Sequence, residues 1–104
     1  MLNGVLPLKR LYESPALVAF HHPRPAYPVH ILLVPKQVLP NLNSLEAADA
    51  DLLYEIVVAA RQIAHMLDID RDGYRLILNS GKFQEFPQLH IHLVADQSPP
   101  PTQP

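Results

Sequence analysis

One alternating stretch, Gln88-Leu89-His90-Ile91-His92-Leu93-Val94, predicts a core β-strand near the end of this chain. Alternate side chains of a strand point to opposite faces, so Gln88, His90 and His92 are predicted to share one polar face while the aliphatic residues face the core. Histidine titrates near neutral pH and offers a nucleophilic nitrogen. This polar face is therefore a candidate site for nucleophilic, acid–base or metal chemistry.

The composition limits the size of the protein and the partners it can take. The chain has 104 residues, of which 48% are hydrophobic, and this predicts one domain with a small core. The formal net charge is -2 and the lysines and arginines form no basic stripe, which argues against nucleic acid as a partner. There is no cysteine, which excludes disulfides, thiolate metal sites and a cysteine nucleophile.

The sequence predicts a cytoplasmic protein with no membrane partner. Residues 1–7 lack the basic region and apolar run of a signal peptide. No stretch reaches the ~18 apolar residues of a membrane span. Residues 97–104 are rich in proline and predict a flexible tail, outside a single domain that spans residues 1–96.

Hydrophobic periodicity predicts several strands before and after one helix. Short strands are predicted within residues 11–20, a rigid proline-rich loop over 21–28 and a buried strand over 30–34. A further strand over 74–78 leads through a turn to the histidine strand. This order predicts an α+β domain whose mostly antiparallel sheet carries one long helix packed on it.

The long helix is predicted from a change of period after Asn43. Asn43 or Ser44 is the predicted N-cap, with Glu46 as the capping-box acid. Apolar residues then recur every three or four positions as far as about Leu67, which predicts one buried stripe.

The histidine stretch resembles the signature of the histidine triad (HIT) superfamily, His-φ-His-φ-His-φ-φ with φ apolar, except that Gln88 stands at the first histidine. Residues 20–36, which contain His30 and end in Val34-Pro35-Lys36, resemble the block that precedes the long helix of that family. Residues 73–79 and Gln84-Glu85 resemble the strand and loop that lead into the triad. The resemblance runs in family order from about residue 17 to residue 95 and implies a HIT-like fold.

The resemblance also implies a function, namely a nucleotide-binding homodimer that acts on phosphate esters, anhydrides or phosphoramidates of nucleosides. His90 resembles the nucleophile, which attacks the α-phosphorus and forms a nucleotidyl-histidine intermediate that water releases. The backbone carbonyl of Gln88 stands where the family fixes the tautomer of that nucleophile. His92 and His30 resemble the histidines of the hydrogen-bond relay that stabilises charge on the phosphate oxygens.

Four further residues match positions that contact the nucleotide or its phosphates in the family. They are Asn79, Gln84, Gln88 and His22. No metal and no cofactor is implied by the resemblance.

Three departures from the family pattern leave the activity open. Gln88 replaces a histidine, His22 replaces the acid that holds the ribose hydroxyls, and Glu85 replaces a small hydroxyl residue found in some branches. One reading is a slowed or retuned hydrolase of nucleoside phosphoramidates or dinucleoside polyphosphates. The other is a non-catalytic nucleotide-binding or interaction protein on the same fold.

Metal binding is a third reading, taken from the residues alone. His90 and His92 with His30 supply three imidazoles, which suit zinc or iron and leave a position open for water.

Overall fold

The computed structural model describes residues 9–96 as a five-stranded sheet with one long helix. In chain order the elements are β1 (Arg10–Glu13), β2 (Leu17–His21), β3 (Val29–Pro35), α1 (Ala50–Met66), β4 (Arg75–Leu78) and β5 (Ile91–Ala95). The strand order is β1-β2-β3-β5-β4, and every neighbouring pair is antiparallel. The predicted α+β class, with a helix packed on an antiparallel sheet, is confirmed. The proline-rich tail predicted for residues 97–104 lies outside the described residues.

One face of the sheet packs against α1 and forms the core. Alternate residues of the central strands, such as Ile31 and Leu33 of β3 and Leu93 of β5, are fully buried there together with Ile63 of the helix. Because side chains alternate along a strand, His30 and His92 project from the opposite face. The sheet therefore separates the core from the face that carries the imidazoles.

The long helix begins later than the sequence predicted. Two single 3-10 turns, Leu42–Ser44 and Ala47–Asp49, precede α1, which starts at Ala50. The predicted cap at Asn43 or Ser44 was wrong because Asn41 caps the first turn by accepting the backbone N–H of Asn43. Leu45 and Glu46 are extended, so each capping group closes one turn instead of starting a helix.

The end of the helix agrees with the prediction. The last helical residue is Met66 and the C-cap is Leu67. Asp68 then adopts a left-handed conformation with φ of 59°, which aspartate tolerates better than most side chains. The Ile69 N–H donates to the carbonyl of Ala64, and Ile69 is fully buried, so an apolar contact secures the end of the helix.

No helix in the described part of the chain is both long and apolar enough to span a membrane.

Candidate functional site

Register across the two central strands brings His30 and His92 together. His30 pairs with Val94, and Leu32 pairs with His92, so the two imidazoles are diagonal neighbours on one face. Nε2 of His30 lies 2.8 Å from Nδ1 of His92. This hydrogen-bonded pair is called the His30–His92 relay below.

His90 lies just before β5 and is 6% exposed. Its Nδ1 lies 2.8 Å from the backbone oxygen of Gln88, and because a carbonyl only accepts, Nδ1 carries the proton and donates it. The neutral ring then keeps a lone pair on Nε2. The His90 ring lies 5.1 Å from that of His92 and 5.5 Å from that of Phe86, measured between centroids.

Backbone groups also fix the tautomers of the relay. The backbone N–H of Ala26 donates to Nδ1 of His30 over 3.0 Å, so the proton of neutral His30 is on Nε2. His30 Nε2 therefore donates to His92 Nδ1, and neutral His92 carries its own proton on Nε2. The site thus places an unprotonated nitrogen on His90 beside a neighbouring N–H donor on His92.

Both relay imidazoles are neutral at pH 7. Burial is the largest cause that lowers the pKa of His30 to about 4, and the charges of His22 and His92 act in the same direction. Burial also lowers the pKa of His92, assisted by His90 and His22, while the Glu85 carboxylate opposes the shift at both histidines. In addition, the proton that would charge His30 belongs on Nδ1, where the Ala26 N–H already points.

This low pKa makes the stability of the folded protein depend on pH. The folded pKa of His30 is about 4 against an ordinary value of 6.5, so between these values the unfolded chain binds more protons. The stability is full above about pH 6.5 and is lost as the pH falls towards 4, by up to about 2.5 kcal/mol for this group. Urea unfolding at pH 7 and at about pH 4.5 measures the loss. In His30→Gln the loss should be smaller by most of that amount, and equal losses in the two proteins would contradict the assignment.

Gln88 does not lie on the histidine face of a strand, which corrects the sequence prediction. β5 begins only at Ile91, because the chain at residues 88–89 pairs with the segment after β3. The Gln88 amide donates to the backbone oxygens of Pro35 and Gln37 and accepts the N–H of Leu39. Its side chain therefore holds two segments together and is not free to contact a nucleotide. Only its backbone oxygen reaches His90.

Gln84 and Asn79 differ in which of their hydrogen-bonding atoms are free to contact a phosphate. The amide nitrogen of Gln84 donates to the backbone oxygens of Pro40 and Phe86, at 2.6 and 2.7 Å, so its donors are already used. In this conformation only its oxygen remains free, and a contact between a phosphate and the amide nitrogen, which stays a prediction, would have to replace these bonds. Asn79 follows β4, where Leu78 pairs with Ile91, so the register places Asn79 beside His90. Its half-buried side chain forms no hydrogen bond within residues 9–96.

A cavity of about 550 Å³ opens beside the relay. The residues that line it are His22, Pro23, Arg24, Ala26, His30, Glu85, Phe86 and His92. His22 therefore joins the site, and its ring packs 4.3 Å from the ring of His30. Arg24 and Phe86 were not predicted from the sequence as site residues. The proline-rich loop that carries Arg24 could have indicated the first of them, because its sequence predicts a rigid loop next to His22.

Three imidazoles are close enough for metal binding to be considered, although the set differs from the predicted one. Ligand nitrogens of His22, His30 and His92 lie within 4.8 Å of one another, and His22 takes the place predicted for His90. A metal ion needs a lone pair on one nitrogen with the proton on the other. In His22 and His30 that other nitrogen already accepts a backbone N–H, from Arg24 and Ala26. This arrangement does not fit a metal ion, because binding would require an imidazolate or the loss of a hydrogen bond at both histidines.

Comparisons with known proteins agree with this fold. A family model described as HIT domain matches residues 3–98. A purine nucleoside phosphoramidase of Escherichia coli K12 is 32% identical over 96 residues, which cover 90% of this chain and 81% of that protein. An uncharacterized HIT-like protein of Buchnera aphidicola is 34% identical, covering 90% of this chain and 86% of that protein. A HIT family hydrolase from Clostridium thermocellum has a TM-score of 0.84 at 35% identity, covering 93% of this chain and 86% of the other.

Proposed function

The chain belongs to the HIT domain family, and from that premise we propose that it is a nucleotide hydrolase, or nucleotidyl transferase, which acts through a covalent intermediate on His90. The substrates are nucleoside phosphoramidates or dinucleoside polyphosphates, attacked at the α-phosphate. The observation that carries the proposal is the hydrogen bond from His90 Nδ1 to the Gln88 carbonyl, which leaves the lone pair of Nε2 for attack.

In the first step, Nε2 of His90 attacks the α-phosphorus and forms an N–P bond. The bond from phosphorus to the leaving group breaks, and the leaving group departs with its electron pair. Positive charge that develops on the His90 ring is shared with Nδ1–H, which donates to the Gln88 oxygen. The Gln88 carbonyl thus orients the His90 ring, as a third group orients the base where a nucleophile and a base act together.

His92 acts as a hydrogen-bond donor to the phosphoryl oxygens. Its proton is on Nε2 because Nδ1 accepts from His30, and the ring lines the cavity, so this donor is in place before substrate arrives. A preorganised donor of this kind contributes roughly 10²–10³-fold to the rate of a reaction that develops oxygen charge. Since the relay has no place for an extra proton, an amine leaving group takes its proton from solvent, whereas a phosphate leaves without needing one.

In the second step, water attacks the phosphorus of the nucleotidyl-histidine. The N–P bond breaks, its electron pair returns to His90 Nε2, and the proton lost by water passes to solvent. The products are a nucleoside monophosphate and the resting neutral imidazole. If another nucleophile takes the place of water, the same intermediate completes a nucleotidyl transfer.

A non-catalytic nucleotide-binding protein is the second candidate, and the contacts of the loop before β5 favour it. The amide donors of Gln84 and Gln88 are used within the chain, and Glu85 brings a carboxylate to the cavity. Fewer free donors and one added negative charge weaken stabilisation of a phosphoryl transition state.

Turnover of a substrate panel decides between the two candidates. The wild-type protein is incubated with adenosine and guanosine 5′-phosphoramidates and with dinucleoside polyphosphates, and release of the nucleoside monophosphate is followed. The hydrolase proposal expects release from at least one substrate class. If the folded protein releases none, while calorimetry shows tight binding of a nucleoside monophosphate, the binding-only candidate is correct.

We further propose a homodimer, as the family resemblance implies. Leu53, Tyr54 and Val57 of α1 are 36%, 68% and 46% exposed, and Leu76 of the edge strand β4 is 39% exposed. Exposed apolar side chains on a helix and on the edge strand of the described sheet are each typical of a surface that a second copy covers. Light scattering at micromolar concentration measures the state, and a monomer would count against this proposal.

A further inference from the structure

The cavity continues from the relay towards His22 and Arg24, which the proposed reaction does not use. The rings of His22 and His92 are stacked with centroids 6.0 Å apart, so this end of the cavity is next to the His92 side chain that is proposed to bind the first phosphate. A ligand that contacts His92 and extends along the cavity therefore reaches His22.

His22 presents a hydrogen-bond donor to a ligand. The backbone N–H of Arg24 donates to Nδ1 of His22 over 2.9 Å, so the proton of the neutral ring is on Nε2. The ring packs 4.3 Å from His30, which holds its orientation. A neutral ring in this tautomer has no free lone pair, so its remaining nitrogen meets an acceptor better than a donor or a cation.

Arg24 adds a positive charge at the same end. It lines the cavity, and within residues 9–96 its guanidinium has no ion-pair partner. Arginine presents several donors in a planar fork that matches the oxygens of a phosphate. Pro23 and Pro25 flank it and restrict the backbone of the loop, so little entropy is lost when a ligand binds.

We propose that the His22 and Arg24 end of the cavity binds a second phosphoryl group of the nucleotide. This inference rests on the proposed function for the position of the first phosphate. The second group is attached either to the sugar or through a phosphoanhydride, and the chemistry that recognises it is the same. Glu85 also lines the cavity and repels both phosphates, so its removal strengthens binding.

Calorimetry with matched nucleotides at about pH 8 and at low ionic strength tests the proposal. The probes are AMP, ADP, adenosine 2′,5′-bisphosphate and adenosine 3′,5′-bisphosphate. At least one doubly phosphorylated probe is expected to bind the wild-type protein tenfold or more tightly than AMP. A preference for a bisphosphate identifies the sugar as the carrier, and a preference for ADP identifies the anhydride.

The variants Arg24→Gln and His22→Asp should each remove most of that advantage, while Glu85→Gln should increase it. His21→Asn is the matched control, because His21 is the exposed neighbour outside the cavity and its variant should keep the wild-type ratio. The proposal fails if AMP binds as tightly as every doubly phosphorylated probe, if the advantage survives both variants, or if no probe binds. It also fails if the protein binds one zinc ion per chain that His22→Asp abolishes. If a bisphosphate binds through His22 but the substrate panel shows no turnover, this inference stands and the hydrolase proposal falls.

Discussion

A His90→Asn variant is expected to lose at least about 10³-fold in kcat/KM towards whichever nucleotide the wild-type protein turns over. The asparagine amide nitrogen superposes on the position of Nδ1, so the hydrogen bond to the Gln88 carbonyl is retained. What disappears is Nε2, the atom that forms the N–P bond. Because the Gln88 carbonyl keeps its hydrogen bond, the free energy of unfolding should change by no more than about 1 kcal/mol.

The same variant should abolish the covalent intermediate. Wild-type protein is quenched during turnover with a denaturant that contains no acid, and its mass is measured. We expect the mass to increase by one nucleotidyl group, and we expect peptide mapping to locate that group on His90. His65→Asn serves as the control, since His65 is exposed on α1 and pairs with Asp70 away from the cavity. An unchanged rate in His90→Asn, or an adduct on another residue, would end the covalent mechanism proposed here.

The fold could be predicted from local sequence because its elements carry strong local signals. The proline-rich loop after β2, the buried strand β3 and the end of α1 all lie where the sequence placed them. The start of α1 could not be read in the same way. Asn41, Glu46 and Asp49 each offer a capping group within nine residues, and the sequence does not show that the groups at 41 and 46 close separate turns.

The site was less predictable, because its decisive contacts are not local or involve backbone donors. The Gln88 amide contacts the last residue of β3 and the segment that follows it, about 50 residues away in sequence, so alternation along one strand could not place it. Likewise, the N–H groups of Ala26 and Arg24 set the tautomers of His30 and His22, and a backbone donor has no residue signature. The sequence therefore predicted which histidines form the site, but not which ring nitrogen of each one carries the proton.

The backbone N–H of Ala26 is consequently expected to matter more than its side chain. Ala26→Pro removes that N–H without replacing any of the histidines. His30 then becomes free to carry a proton on Nδ1, so its pKa should rise and the direction of the hydrogen bond to His92 is no longer fixed. With the His92 donor no longer preorganised, kcat at neutral pH should fall by about 10²-fold.

Ala26→Gly is the matched control, because it shortens the side chain of an exposed residue and keeps the N–H. Its kcat should stay within about threefold of wild type. Imidazole nitrogen NMR reports the tautomer directly: His30 in wild type and in Ala26→Gly should show an unprotonated Nδ1 and a protonated Nε2, and Ala26→Pro should show a mixture. If the loop has only a structural role, Ala26→Pro should leave the tautomer of His30 unchanged. A wild-type spectrum with the proton on Nδ1 of His30, or a folded Ala26→Pro protein with wild-type kcat, would show that His92 does not owe its orientation to this amide.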